Sequence, residues 1–192
     1  MDNIGLLPFS LDFDLATGLC KSGKAKPTRR FVANMATQFL DADAARAMGD
    51  TPIYDFYELN DIPETAGDLK FGTSIVYAGK VGDEYFMTKG HFHTILDTSE
   101  VYYCLSGRGA MLMETPEGDV RLVEMKPGEA VYVPPRWAHR SINTGSETLV
   151  TFFVFRSDAG HDYGTIEQKG YRKLVVERDG KPAMIDNPRW AE

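Results

Sequence analysis

The chain of 192 residues has four histidines, and three of them fall in a pattern suited to a metal ion. His91 and His93 are two apart, Glu100 follows after six intervening residues, and His139 comes much later, after Pro134-Pro-Arg-Trp-Ala. On a strand, positions i and i+2 share a face, so both imidazoles of the His-x-His pair enter one interior. In a small barrel, strands distant in sequence become neighbours, so these inward side chains can meet at one point. Three imidazoles and a carboxylate suit a borderline divalent ion: iron(II), manganese, nickel or zinc. The set has no thiolate, which argues against a closed, cysteine-rich structural zinc site. On an octahedral ion it leaves two positions open, enough for two substrate oxygens. A lone histidine in a strand is usually a satisfied core or surface group, so the weight lies on the whole pattern.

The elements that must position these ligands read as short strands. Ile53–Leu59, Thr73–Ala78, Tyr85–Thr88, Val101–Leu105, Gly109–Glu114, Val120–Met125, Ala130–Val133, Arg140–Asn143 and Leu149–Phe155 are rich in aromatic and β-branched residues. Turn residues separate them, as in Pro116-Glu-Gly-Asp and Lys126-Pro-Gly-Glu. Such spacing predicts an all-β sandwich or barrel. Lys173–Glu177 followed by Arg178-Asp-Gly-Lys predicts a late hairpin with a type I′ turn. Residues 1–30 read as an extended arm ending in Lys26-Pro27-Thr28-Arg29-Arg30. Residues 31–49 read as two helical pieces, with Gly49 as a C-terminal stop. The expected organisation is an arm with short helices over 1–50, packed on a barrel over 51–192.

Composition is that of an ordinary globular chain, with 43% hydrophobic and 26% charged residues. The net charge of −7 argues against nucleic acid or an anionic membrane as a partner. Cys20 and Cys104 match no CxxC spacing, so a reduced, cytoplasmic chain is expected. The opening residues lack a basic, then apolar, secretory pattern. No stretch reaches the ~20 apolar residues of a membrane helix.

The ligand pattern sits inside two longer motifs, Gly90-His91-Phe92-His93…Glu100…Gly107 and Gly128…Pro134…His139…Asn143. With these the chain resembles the cupin family, whose fold is a double-stranded β-helix or jelly-roll barrel. Arg136 stands where the second motif usually has glycine, which affects the turn and not the ligands. Three further blocks, Tyr85-Phe-Met-Thr-Lys-Gly-His-Phe-His, Tyr132-Val-Pro-Pro-Arg-Trp-Ala-His-Arg and Asp158-Ala-Gly-His-Asp-Tyr-Gly-Thr-Ile, resemble the cupin-type glucose-6-phosphate isomerases. That similarity runs from about residue 50 to the Asp186-Asn-Pro-Arg-Trp tail, and more loosely over the arm.

The resemblance implies interconversion of glucose 6-phosphate and fructose 6-phosphate. Hydrogen then moves between C1 and C2 of the open-chain sugar. A metal on O1 and O2 would act as a Lewis acid. Glu100 is the candidate base, although a metal-bound carboxylate is a weaker base and a hydride shift stays open. Tyr102, two residues on, shares the face of Glu100 and can hydrogen-bond sugar oxygens. Tyr54, Ser74, Thr88, Gly90 and Tyr163 are the residues the resemblance assigns to substrate and phosphate. His161, the histidine outside the metal set, is assigned to ring opening or phosphate. Lys89 competes with Thr88 and Gly90, because strict alternation from His91 and His93 points Lys89 inward and the other two outward, unless Gly90 kinks the strand. Arg136 and Arg140 read as solvated charges. A homodimer is expected by analogy with other cupins. An oxygenase or a non-enzymatic sugar-binding cupin would share the barrel, so the fold alone does not choose.

Overall fold

The computed structural model describes residues 7–190; the start of the expected arm, 1–6, and the last two residues lie outside the described residues. Its strands are β1 (Pro27–Phe31), β2 (Pro52–Glu58), β3 (Leu69–Val76), β4 (Lys80–Val81), β5 (Glu84–Tyr85), β6 (Glu100–Ser106) and β7 (Gly109–Glu114). There follow β8 (Val120–Met125), β9 (Ala130–Val133), β10 (Ala138–Ile142), β11 (Leu149–Arg156), β12 (Lys173–Arg178) and β13 (Lys181–Asp186). A 3-10 turn covers Val32–Gln38, and two short helices, α1 (Ala42–Ala47) and α2 (Gly164–Lys169), complete the chain. The fold is all-β with short helices, as the strand pattern predicts.

The local signals act as their chemistry requires. The Asp41 side chain accepts from Ala44 N at 2.8 Å and caps α1, and Gly49 follows the helix at φ +53. Asp179 and Gly180 both take positive φ (51 and 72), as a type I′ turn demands, between the paired strands β12 and β13. The helix α2 has no counterpart in the expected elements. Its start is fixed by Asp162, whose carboxylate accepts from Thr165 N and, at 2.7 Å, from Thr165 Oγ1.

Strand order shows how distant segments meet. One sheet runs β1-β2-β3-β11-β6-β9, a second β10-β7-β8, and a third β13-β12-β5-β4. The run after β5 closes onto β10 through bridges Met87↔Ile142 and His91↔His139. Four strands, β3-β11-β6-β9, thus face four runs, the 87–93 segment, β10, β7 and β8. That winding is a jelly roll. Its core lies between the two faces and includes Leu112, Met125, Ile142 and Leu149, with Val32 and Phe39 of the N-terminal segment in the same cluster. β1 adds itself to β2 at the sheet edge, where Arg29 forks onto Asp55 at 2.8 and 2.7 Å.

The strand expected over Tyr85–Thr88 is shorter, with β5 ending at Tyr85, and of the two alternatives for the histidine run the kink at Gly90 is the one the chain adopts. Between the two bridges the chain takes four steps from Met87 to His91, while β10 takes three from Ile142 to His139. The extra residue is a bulge, and Gly90 absorbs it at φ +73, in the left-handed region.

Candidate metal centre and cavity

His91, His93, Glu100 and His139 each offer a ligand atom, and these atoms lie within 4.8 Å of one another. The first two come from the bulged run, Glu100 from the start of β6, and His139 from β10. His93 Nε2 and His139 Nε2 stand 3.2 and 2.9 Å from Glu100 Oε2. The first contact has hydrogen-bonding geometry, whereas His139 Nε2 is without a hydrogen-bond partner despite its closeness. His91 Nε2 is also buried without a partner.

The far sides of two rings are held by acceptors. His93 Nδ1 is 3.3 Å from Thr98 O, and His139 Nδ1 is 3.3 Å from Trp137 O. A carbonyl only accepts, so a neutral ring here carries its proton on Nδ1 and turns the Nε2 lone pair to the centre, ready for a cation. Burial pulls the His91 pKa well below its ordinary value, and the neighbouring histidines add to that. Burial alone would push Glu100 up, but His139 and His93 outweigh it and hold the carboxyl far below the usual carboxylate range. A neutral His91 beside an ionised carboxylate, with two buried imidazole nitrogens unpartnered, fits a divalent cation.

Above this cluster lies a cavity that opens to solvent. Tyr54, Ser74, Thr88, Lys89, Gly90, His91, Glu100, Tyr102, His139, His161 and Tyr163 all line it. Of the expected site residues only His93 is not at its surface; it reaches the cluster from the wall. Thr88, Lys89 and Gly90 all line the cavity because the bulge breaks the alternation that would have separated them. Ser141 N donates to Thr88 Oγ1 at 3.0 Å, which leaves the hydroxyl proton of Thr88 free for a ligand. Lys89 pairs with Glu167 of α2, and its Nζ lies 4.6 Å from the ring centre of Tyr163. His161 sits with its ring 4.4 Å from that of His91 and stacks on Tyr163 at 5.7 Å.

Electrostatics sort these groups. Burial lowers the His161 pKa to about 4, against the pull of Glu100, so its imidazole is neutral at physiological pH. Burial and then the Glu100 charge push the Tyr102 phenol well above its ordinary value. Burial lifts Tyr163 to about 12. Both phenols therefore stay protonated and can donate.

Sequence reasoning passed over Phe56, Glu58, Ser141, Phe153 and Phe155, which also line the cavity. The signal was present: Phe56 and Glu58 follow Tyr54 at steps of two on β2, and Ser141 follows His139 likewise on β10. Arg140 is a correction. It was expected on the solvated surface and is 3% exposed. Its guanidinium donates to Lys89 O at 2.5 Å and Gln38 Oε1 at 2.6 Å, and lies 4.4 Å over the Tyr171 ring. It thus holds the bulge from behind. Arg136 is exposed and pairs with Glu117, as a surface charge does.

A family model described as glucose-6-phosphate isomerase (GPI) matches residues 29–190. The chain belongs to the glucose-6-phosphate isomerase family. The family's enzyme from Thermococcus litoralis is 48% identical over 186 residues, covering 95% of this chain and 96% of the relative. That from Pyrococcus furiosus is 46% identical with 95% and 97% covered, and that from Sinorhizobium medicae 40% with 95% and 87% covered. Among solved structures, oxalate decarboxylase from Bacillus subtilis aligns at 23% identity and a TM-score of 0.44, over 56% of this chain and 26% of that one. Within the isomerase family, the match spans the bulged histidine run, both cavity walls and the His161–Tyr163 loop. Cys20 and Cys104 are free thiols, and among the described residues no helix is long and apolar enough to cross a membrane.

Proposed function

We propose that this isomerase interconverts glucose 6-phosphate and fructose 6-phosphate at a divalent metal held by His91, His93, Glu100 and His139. The observation that carries the reading is the buried, unpartnered His91 Nε2 at the floor of a cavity whose other walls carry hydroxyls and an ammonium. When bound, the ion supplies Lewis acidity toward the sugar oxygens; iron(II) is the first choice, then manganese, nickel or zinc.

The chain's own groups then have separate tasks. Thr88, Ser74, Tyr54 and Tyr163 supply hydroxyl donors, Lys89 a cation and Gly90 a close backbone approach, all suited to a phosphate. Tyr102, kept protonated, donates to a sugar oxygen. His161, neutral, passes a proton during ring opening. Glu100 takes the proton from C2 of the aldose and returns it to C1 for the ketose. Under the same reading the enzyme acts as a cytoplasmic homodimer. The edge strand β9 supports that pairing, with Tyr132 58% exposed across from β6, where Tyr103 is 43% exposed.

The test is a coupled assay of fructose 6-phosphate turnover on chelated protein, with iron(II), manganese, nickel or zinc added back. Restoration by one of them supports the reading; turnover indifferent to chelation and to His91→Ala would sink it. Glucose 6-phosphate deuterated at C2, turned over to fructose 6-phosphate, separates the two transfers. Label lost to water means a proton carried by Glu100, whereas label kept at C1 means a hydride shift.

A further inference from the structure

The cavity holds a second carboxylate. Glu58 follows Tyr54 and Phe56 along β2, and all three side chains line the cavity wall. The Glu58 side chain is 12% exposed, and its nearest cation, Lys70 Nζ, is 3.9 Å away. That ammonium is engaged by Glu64 at 2.9 Å. Among the described residues no donor hydrogen-bonds the Glu58 carboxylate; only its backbone oxygen accepts, from Asn60. Burial raises its carboxyl pKa, with Lys70 opposing. A half-buried carboxylate on a cavity wall with no protein donor keeps its acceptor capacity for a ligand hydroxyl.

Register places this group in the same row of the sheet as Tyr102, on the wall facing the shared cavity. Glu58 lies opposite Gly72 on β3, Gly72 opposite Phe153 on β11, and Phe153 opposite Tyr102 on β6. Glu58 and Tyr102 thus share one transverse row of the sheet, and Gly72 puts no side chain between Glu58 and Phe153. The next row carries Phe155 and Glu100.

The ligand's chemistry supplies the missing donor. An open-chain hexose phosphate brings hydroxyls at C3, C4 and C5, and each needs an acceptor when the cavity covers it. The tyrosines, Ser74, Thr88 and Lys89 are chiefly donors, and Glu100 faces the imidazoles. We infer that Glu58 is a substrate-binding residue whose carboxylate accepts a hydrogen bond from one of these hydroxyls, favouring a polyhydroxylated phosphate over a less hydroxylated one. This rests on the isomerase reading above.

The experiment compares metal-loaded wild-type enzyme with Glu58→Gln on fructose 6-phosphate and its 3-, 4- and 5-deoxy analogues. The expected result is a KM about tenfold or more higher for fructose 6-phosphate, with kcat changed by no more than about threefold. The penalty should vanish for the one analogue that lacks the bound hydroxyl. An unchanged KM overturns the proposal. So does an equal penalty on fructose 6-phosphate and every analogue, because Glu58 would then act through Lys70 on the barrel. Wild-type turnover in the same assay tests the isomerase reading separately, and an inert wild type overturns both. Should Glu58→Gln fail to fold, Glu58→Asp serves, with calorimetric binding of a hexitol 6-phosphate and its deoxy forms as the readout and the same two outcomes.

Discussion

Gly90 is packed against Tyr171: a Cβ on Gly90 would lie 2.5 Å from the Tyr171 hydroxyl and 3.0 Å from Arg140 Cβ. Gly90 also sits at φ +73, so any side chain there meets both backbone strain and a wall. Gly90→Ala should cost about 2 kcal/mol or more of stability. It should also lower kcat/KM, because the bulge that turns Thr88, Lys89 and His91 into one cavity cannot keep its shape. Denaturant midpoints and steady-state kinetics check this; an unchanged midpoint with full activity would show that the bulge tolerates a β-carbon.

Thr98 acts on His93 from outside the four residues that could hold a metal. Its hydroxyl lies 2.7 Å from His93 Nδ1 and donates to Ile95 O at 2.6 Å, so it is free to accept from the imidazole. Thr98→Val removes that acceptor and loosens the ring whose Nε2 faces Glu100. Metal affinity should fall about 10- to 100-fold. Competition with a coloured chelator measures it directly, and an affinity equal to that of the parent would contradict the role.

Asp55 couples stability to pH. Burial pushes its carboxyl up, but hydrogen bonds from Arg29 and Tyr77 and the Arg29 charge overcome this and hold it below the ordinary range. A carboxyl depressed in the folded state stabilises above its unfolded value, near pH 4. That contribution is lost as pH falls through the lower folded value. Asp55→Asn should therefore destabilise by about 1–2 kcal/mol at pH 7, moderated because Arg29 is half exposed. The gap between the two proteins should close in strong acid. Urea midpoints from pH 7 down to pH 2.5 test the sign, and a gap constant with pH would rule out the linkage.

Arg136 occupies the motif's usual glycine position, and the structure explains the usual choice: its φ is +71. Its backbone N–H donates to Leu96 O at 2.8 Å, so the turn keeps its bond whatever the side chain. Arg136→Gly relieves left-handed strain and gives up a surface ion pair with Glu117 worth little. A gain of up to about 1 kcal/mol is expected after the entropy of glycine in the unfolded chain is subtracted. Thermal unfolding checks it, with a lower Tm as the contrary result.

Some of this was legible in the residues. The all-β class, the β12–β13 turn and the ligand types depend on neighbours within a few positions. Period-two parity would also have found Glu58 and Ser141 had it been extended from Tyr54 and His139. The same parity failed between Thr88 and His91, because one inserted residue reverses it, and nothing local announces an insertion except a glycine.

The sequence by itself determined a β-rich chain carrying three imidazoles and a carboxylate able to hold a divalent cation, because residue chemistry and strand period are local properties. Only the tertiary structure decided that the bulge faces a cavity shared with β2, β3 and β11. It alone decided that Arg140 is buried behind that bulge and that Glu58 stands without a donor. The physical reason is burial: which face of a strand is covered, and by what, depends on segments tens of residues away, and pattern within one strand cannot report on them.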